Sequence, residues 1–144
     1  MEVASLLRRK LISLPANASI RDAVKLMAEH NVGLLPIVDS DGRPLAVISE
    51  RDVIKALASG ASLDTPALQI AQRELVAVTP DTDVYDAVIK MRQRKIRHLL
   101  VVNKEGKLAG VLSVRDFMRD EVLSYLGFQA WQPPDYDKPE FMSL

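Results

Sequence analysis

The sequence predicts an α+β fold in which two copies of one small unit pack sheet to sheet about a pseudo-two-fold axis. Three observations lead there. Ala46-Val-Ile-Ser-Glu-Arg-Asp52 is nearly repeated as Gly110-Val-Leu-Ser-Val-Arg-Asp116, and at the same offset of 64 positions residues 11–55 lie over 75–119 without a gap. Under that offset Leu11 meets Leu75, Asp22-Ala-Val24 meets Asp86-Ala-Val88, Met27 meets Met91, and Leu35, Val38 and Gly42 meet Leu99, Val102 and Gly106. Each copy reads strand, helix, strand, strand, helix. A unit this small cannot cover both faces of its own sheet, so the copies should cover each other.

Taken in order, residues 3–9 read as a short helix with Val3, Leu6 and Leu7 on one side. Leu11 to Leu14 is a short strand. Pro15-Ala-Asn-Ala-Ser19 is a turn ending in a good N-cap, and Ile20, Ala23, Val24 and Met27 then recur at helical spacing over residues 20–30. Leu34 to Val38 is a continuous apolar run of strand length. Asp39-Ser-Asp-Gly42 is a hairpin turn, and Leu45 to Ile48 is the returning strand. Ser49 caps a helix through Val53, Ile54 and Leu57, and Gly60 to Pro66 is the linker. The second copy repeats the order. A short helix starts near Ala67, with strands at Leu75–Val78, Leu99–Val102 and Leu108–Leu112. One helix runs through Val84, Ala87, Val88 and Met91, and a final helix from Ser113 to about Leu126.

At 144 residues, 48% of them hydrophobic, the chain suits one compact domain with a real core. Its formal net charge of zero argues against bulk attraction to nucleic acid or acidic membranes. The absence of cysteine rules out disulfides and thiolate metal sites. No apolar run has the length of a signal peptide or a bilayer span, so the expectation is a soluble, cytoplasmic protein.

The Ser-x-x-Asp pairs, Ser49 with Asp52 and Ser113 with Asp116, admit two readings. A serine at a helix start takes an orphan backbone N–H, and an acid three residues on suits the positive end of the dipole. The same N–H groups can instead bind phosphate, with the carboxylate accepting from the two hydroxyls of a ribose. Asp39-Ser-Asp-Gly42 lacks the later ligands and closing glutamate of a calcium loop and reads as a turn. His30 sits at a helix end, a partner for the dipole. Lys90, Arg92, Arg94 and Lys95 read as the solvated face of a helix. The sequence shows no nucleophile–base pair, metal cluster or Walker-type loop, so no catalytic residue and no metal site is assigned.

Together, and twice in register, these features resemble a CBS domain pair, the cystathionine β-synthase type repeat also called a Bateman module. The marks are the helix-opening Asp-Ala-Val of each copy, Leu35-Pro-Ile-Val-Asp39 and Leu99-Leu-Val-Val-Asn103, and the Ser-x-x-Asp stretch after the third strand. The resemblance implies a stand-alone pair: repeat 1 at 3–60, a linker at 61–66, repeat 2 at 67–126 and a C-terminal tail at 127–144. The tail holds Phe128, Trp131, Tyr136 and Phe141 among three prolines and is expected to dock on the domain or a partner subunit. The resemblance also implies a non-catalytic regulatory sensor and a homodimer, with a regulated protein partner of unspecified identity. The expected ligand is an adenine nucleotide, AMP first and also ADP or ATP. S-adenosylmethionine and a ligand-free interaction scaffold are the alternatives.

Carried over by position, one cleft would hold Ser49 and Asp52 with Val76, Arg97 and His98, and the other Ser113 and Asp116 with Ile12, Gly33 and Leu34. Arg97 and His98 supply charge for phosphate in the first. The second shows no cation at the matching places, but it has Gly110 where the first has the larger Ala46. Charge thus favours one cleft and shape the other.

Overall fold

A computed structural model describes residues 1–127, so the expected docking of the aromatic tail lies outside the described residues. Its elements run in order as a 3-10 turn at Val3–Leu6, then β1 (Leu14–Pro15), α1 (Ile20–His30), β2 (Leu34–Val38), β3 (Pro44–Ser49) and α2 (Glu50–Ala58). The second half follows with α3 (Ala67–Ile70), β4 (Ala77–Val78), α4 (Val84–Arg94), β5 (His98–Val102) and β6 (Leu108–Ser113), then a 3-10 turn at Val114–Met118 and α5 (Asp120–Tyr125).

The duplication is visible in the hydrogen bonding. Each half forms a three-stranded sheet, β1-β2-β3 or β4-β5-β6, whose first pair is parallel and second antiparallel. Leu14↔Ile37 recurs as Val78↔Val101, Leu34↔Ser49 recurs as His98↔Ser113, and both sheets have an irregularity one residue before the turn. At each hairpin one side chain holds the turn: Asp39 Oδ1 accepts from the N–H groups of Asp41 and Arg43, both at 2.9 Å, and Asn103 Oδ1 from those of Glu105 and Lys107. Gly42 and Gly106 occupy the left-handed region that these turns need.

The helices follow from their caps and apolar spacing. Ser19 and Asp22 close a reciprocal capping box on α1, and Asp83 caps α4 through the Tyr85 N–H. Ile20, Ala23 and Met27 of α1, and Val84, Ala87 and Met91 of α4, form the buried stripe against each sheet. The run of cations at the end of α4 is not wholly solvated: Lys90 Nζ donates to the Ala77 carbonyl at 2.7 Å from a half-buried position.

Two apolar cores result, and each contains a piece of the other half. Val3 and Leu6 are buried with Val78, Val84, Met91, Leu99, Leu112, Phe117 and Val122 of the second half. Ala67 is buried with Leu14, Ile20, Leu35, Ile37 and Ile48 of the first, and Leu68 and Ile70 pack against that cluster. The backbone bonds that hold the exchanged pieces are themselves repeated. Val3 N–H donates to Thr82 C=O as Ala67 N–H does to Ala18 C=O, and Val84 N–H donates to Met1 C=O as Ile20 N–H does to Thr65 C=O. The opposite sheet faces meet each other: Pro36 and Leu100 are buried on the side away from Leu35, Ile37, Leu99 and Val101. At the hairpins Leu108 N–H donates to Gly42 C=O across the halves at 2.9 Å.

Three expectations need correcting. The opening helix is only the four-residue turn Val3–Leu6, because the chain must then cross back to its own sheet. The strands expected at Leu11–Leu14 and Leu75–Val78 shrink to Leu14–Pro15 and Ala77–Val78, since only their last residues reach a parallel partner. The final helix is broken at Arg119, whose backbone is extended at φ −69°, ψ 145°. Phe117 and Val122 are both buried. On one continuous helix, residues five apart point about 140° away from each other; the break turns both into one core.

No helix among the described residues is long and apolar enough to cross a membrane. The exchanged turn yields a stability test. Leu6 is 2% exposed, though it lies in a short turn near the start of the described chain. Leu6→Ala should cost about 2–5 kcal/mol in urea unfolding, as a core leucine does; a loss under about 0.5 kcal/mol, the size of an ordinary surface change, would show that the turn does not hold the second core together.

Candidate functional site

Among the described residues, two of the cavities open along the seam between the sheets. The larger, about 230 Å³, is walled by Ile12, Gly33 and Leu34 from the first copy and by Gly110, Ser113 and Asp116 from the second. Five residues grouped from sequence, Ile12, Gly33, Leu34, Ser113 and Asp116, therefore share one space. The smaller, about 160 Å³, is lined by Val76, Arg97 and His98 with Leu34, Val47, Gln72 and Leu100. Ser49 and Asp52, grouped with Val76, Arg97 and His98 from sequence, are absent from that lining. His98 and Leu34 border both cavities, and they correspond under the 64-residue offset.

Gln72 stands between the two groups. Its backbone exchanges two hydrogen bonds with Val47, at 2.8 and 2.9 Å, and its side-chain amide donates to Asp52 Oδ1 at 3.2 Å. Asp52 Oδ2 accepts from the Ser49 N–H at 2.8 Å, and the Asp52 N–H donates to Ser49 Oγ at 3.1 Å. In this cleft the capping reading of Ser49 and Asp52 is realised in full.

The larger cavity differs in charge from the expectation. It is not without cations: Arg8, Arg9, Lys10 and Arg115 line it, along with His30 and His98. The first three come from the segment between the opening turn and β1, which crosses the seam on its way back to its own half. Three successive cations were the available sequence signal, but Arg9 meets Asp116 across 107 positions, and only the exchange of turns brings them together.

Asp116 is the most constrained group of the site. It is 4% exposed. Its Oδ2 accepts from the Ser113 N–H at 2.8 Å and from Arg9 Nη2 at 2.9 Å. Its Oδ1 accepts from the same Arg9 nitrogen at 3.1 Å and from Arg119 Nη2 at 2.9 Å. Such charge-assisted bonds are what makes burial of a carboxylate tolerable. His98, opposite Ser113 in the sheet register, has its pKa lowered from the ordinary imidazole value, first by burial, then by Arg115 and Arg9; Asp116 opposes the shift, and Arg97 adds to it weakly.

Backbone chemistry also separates the clefts. Leu100 N–H donates to the Val76 carbonyl at 3.1 Å. The corresponding donor to the Ile12 carbonyl would be residue 36, a proline without an N–H. Shape diverges as well. A Cβ on Gly110 would stand 2.6 Å from Leu7 Cδ2, so Leu7 uses the room that the glycine leaves. In the first half the corresponding pair is Ala46 and Ala71.

A paired fold with clefts on its seam defines a class of tandem-repeat modules, and comparison with known proteins specifies which. The CBS domain family model matches residues 3–59 and 67–122, and the chain belongs to that family. A CBS domain protein from Pyrobaculum aerophilum, solved in complex with AMP, is 41% identical, with a TM-score of 0.82 over 88% of this chain and 98% of that one. The CBS domain pair of protein MJ0100, solved with 5′-methylthioadenosine and S-adenosyl-L-methionine, is 28% identical, with a TM-score of 0.74 over 88% of this chain and 95% of that one. An uncharacterized 17.7 kDa protein of Acidianus ambivalens is 37% identical over 118 residues, covering 82% of this chain and 71% of that protein. Other curated relatives are longer: the match spans 63% of one and 41% of another.

Two predictions follow from this geometry. Gly110→Ala should destabilise by about 1–3 kcal/mol through overpacking on Leu7. In a Leu7→Ala background, which recreates the alanine pair of the other half, that cost should largely vanish; an unchanged cost in the double-mutant cycle would mean the two residues do not compete for one space. The His98 shift sets a pH window. The unfolded chain takes up a proton near 6.5 and the folded chain only at lower pH, so this contribution is complete above about 6.5 and declines as pH falls below it. The melting temperature should therefore drop more steeply between about pH 7.5 and 5.5 in the parent than in His98→Gln; parallel curves would show that burial of the imidazole is not linked to folding.

Proposed function

We propose that the chain is a non-catalytic regulatory module that binds adenosine-containing ligands in the seam, AMP first and also ADP or ATP. The observation that carries this reading is the larger cavity, where Ser113, Asp116 and four basic residues line one space between the copies. In this reading Asp116 accepts from ribose hydroxyls once one of its present partners yields, and Ser113 and the cations receive phosphate. Ile12, Gly33 and Leu34 offer apolar surface and backbone groups to the base, the Ile12 carbonyl lacking the partner that Val76 has in Leu100. The AMP bound by the Pyrobaculum aerophilum relative supports this choice of ligand.

The cleft of Ser49, Asp52, Val76, Arg97 and His98 is the second proposed site, reached when Gln72 yields. S-adenosylmethionine remains the alternative ligand because of the MJ0100 complex. The cations of the larger cavity oppose its sulfonium charge there. A ligand-free scaffold is favoured by one observation, the complete capping of α2 by Ser49 and Asp52. We further propose a cytoplasmic homodimer that signals to a protein partner. Ile54 at 66% and Met118 at 60% exposure, with Val24, Leu57, Tyr85 and Tyr125, leave apolar surface on the outer helices for a second copy to cover.

Thermal melting with AMP, ADP, ATP and S-adenosylmethionine separates these readings. A ligand at a hundred times its dissociation constant adds about 2.7 kcal/mol. Asp116→Ala should abolish most of the nucleotide response of the larger cavity, and Asp52→Ala that of the smaller. No response to any nucleotide would leave the scaffold, and a response to S-adenosylmethionine alone would replace the ligand.

A further inference from the structure

Building on that reading of the larger cavity, we propose that Arg9 is an exchangeable counter-ion that makes the site select for a phosphate on the adenosine ligand. A carboxylate accepts about four hydrogen bonds. Those of Asp116 are already taken by the Ser113 N–H, by Arg119 and by Arg9, which reaches both oxygens through one nitrogen, with the Ser113 hydroxyl adding a long contact at 3.5 Å. Two ribose hydroxyls find no acceptor capacity on Asp116 until one partner leaves.

Arg9 is the partner that leaves. Its side chain is 50% exposed, whereas that of Arg119 is 23% exposed and also reaches the Leu6 carbonyl. The chain beneath Arg9 is loosely tied too. On the other cleft Gln72 exchanges two backbone bonds with Val47. The corresponding residue on this side, Arg8, turns its N–H to Leu6 C=O, and its guanidinium goes out to Glu121. Among the described residues no backbone bond ties Arg8 to Val111. The strap that carries Arg9 can therefore move while Arg119 keeps the carboxylate in place.

The exchange has a chemical consequence. A ribose that displaces Arg9 breaks an ion pair at a buried carboxylate. A ligand carrying phosphate gives the released guanidinium a new anion in the same cavity, whose lining already includes Arg8, Lys10 and Arg115. A ligand without phosphate, adenosine or methylthioadenosine, breaks the same pair and returns hydroxyl hydrogen bonds to Asp116 but no anion to the guanidinium. Arg9 thus opposes the nucleoside and assists the nucleotide.

Calorimetric titration of the parent, Arg9→Ala and Arg9→Lys with adenosine and with AMP tests this. Arg9→Ala should bind adenosine several-fold more tightly and AMP about ten-fold more weakly, so that the two effects have opposite signs. Arg9→Lys, which retains the charge, should keep most of the parent's preference and guards against a loss caused by misfolding of the alanine variant. Arg9→Ala weakening both ligands alike, or leaving their ratio unchanged, would overturn the exchange while the cavity stays an adenosine site. A parent protein that binds neither ligand would overturn the reading of the cavity and the exchange with it.

Discussion

The structure depends on an exchange of short turns. Each half lacks one piece of its own core and receives it from the turn that opens the other half: Val3 and Leu6 enter the second core, Ala67 the first. Burial of these side chains, with the backbone bonds that seat each turn, ties the halves together, because apolar area removed from water favours the packed state. The same exchange obliges the chain to pass over the seam twice. Residues 7–13 and 71–76 are those crossings, and each becomes the roof of a cleft.

From equal beginnings the two crossings have diverged. The second is a neutral strap, with Gln72 zipped to Val47 by backbone bonds and its amide resting on Asp52. The first is a charged strap, with Leu7 seated on Gly110 and Arg9 on Asp116. Small residue against large partner on one side, alanine against alanine on the other, keeps the packing filled in both. The difference in charge is not compensated in this way. It lines one cavity with Arg8, Arg9, Lys10 and Arg115 around Asp116 and leaves the other with Arg97 and His98 beside Glu74.

Broken symmetry in the last helix belongs to the same account. α2 runs uninterrupted and buries only Val53. Its counterpart breaks at Arg119, so that Phe117 and Val122 enter a core that Leu6 also fills, while the Arg119 side chain turns back to Asp116. Core and site are thus joined through one residue: the bend that completes the hydrophobic packing also supplies the inner counter-ion of the buried carboxylate.

The residues alone determined the duplication, the order of strands and helices, the turns at Asp39 and Asn103, and the family, because these rest on local spacing and on self-similarity that survives without coordinates. The family resemblance, carried over by position, also grouped Ile12, Gly33, Leu34, Ser113 and Asp116. Strand lengths, the broken helix and the charge of the larger cavity were decided by tertiary structure. Arg9 and Asp116 stand 107 positions apart, and periodicity carries no information about which linker crosses which sheet. That is settled only when apolar turns find the core they fill, and the cations they carry go wherever that burial leads.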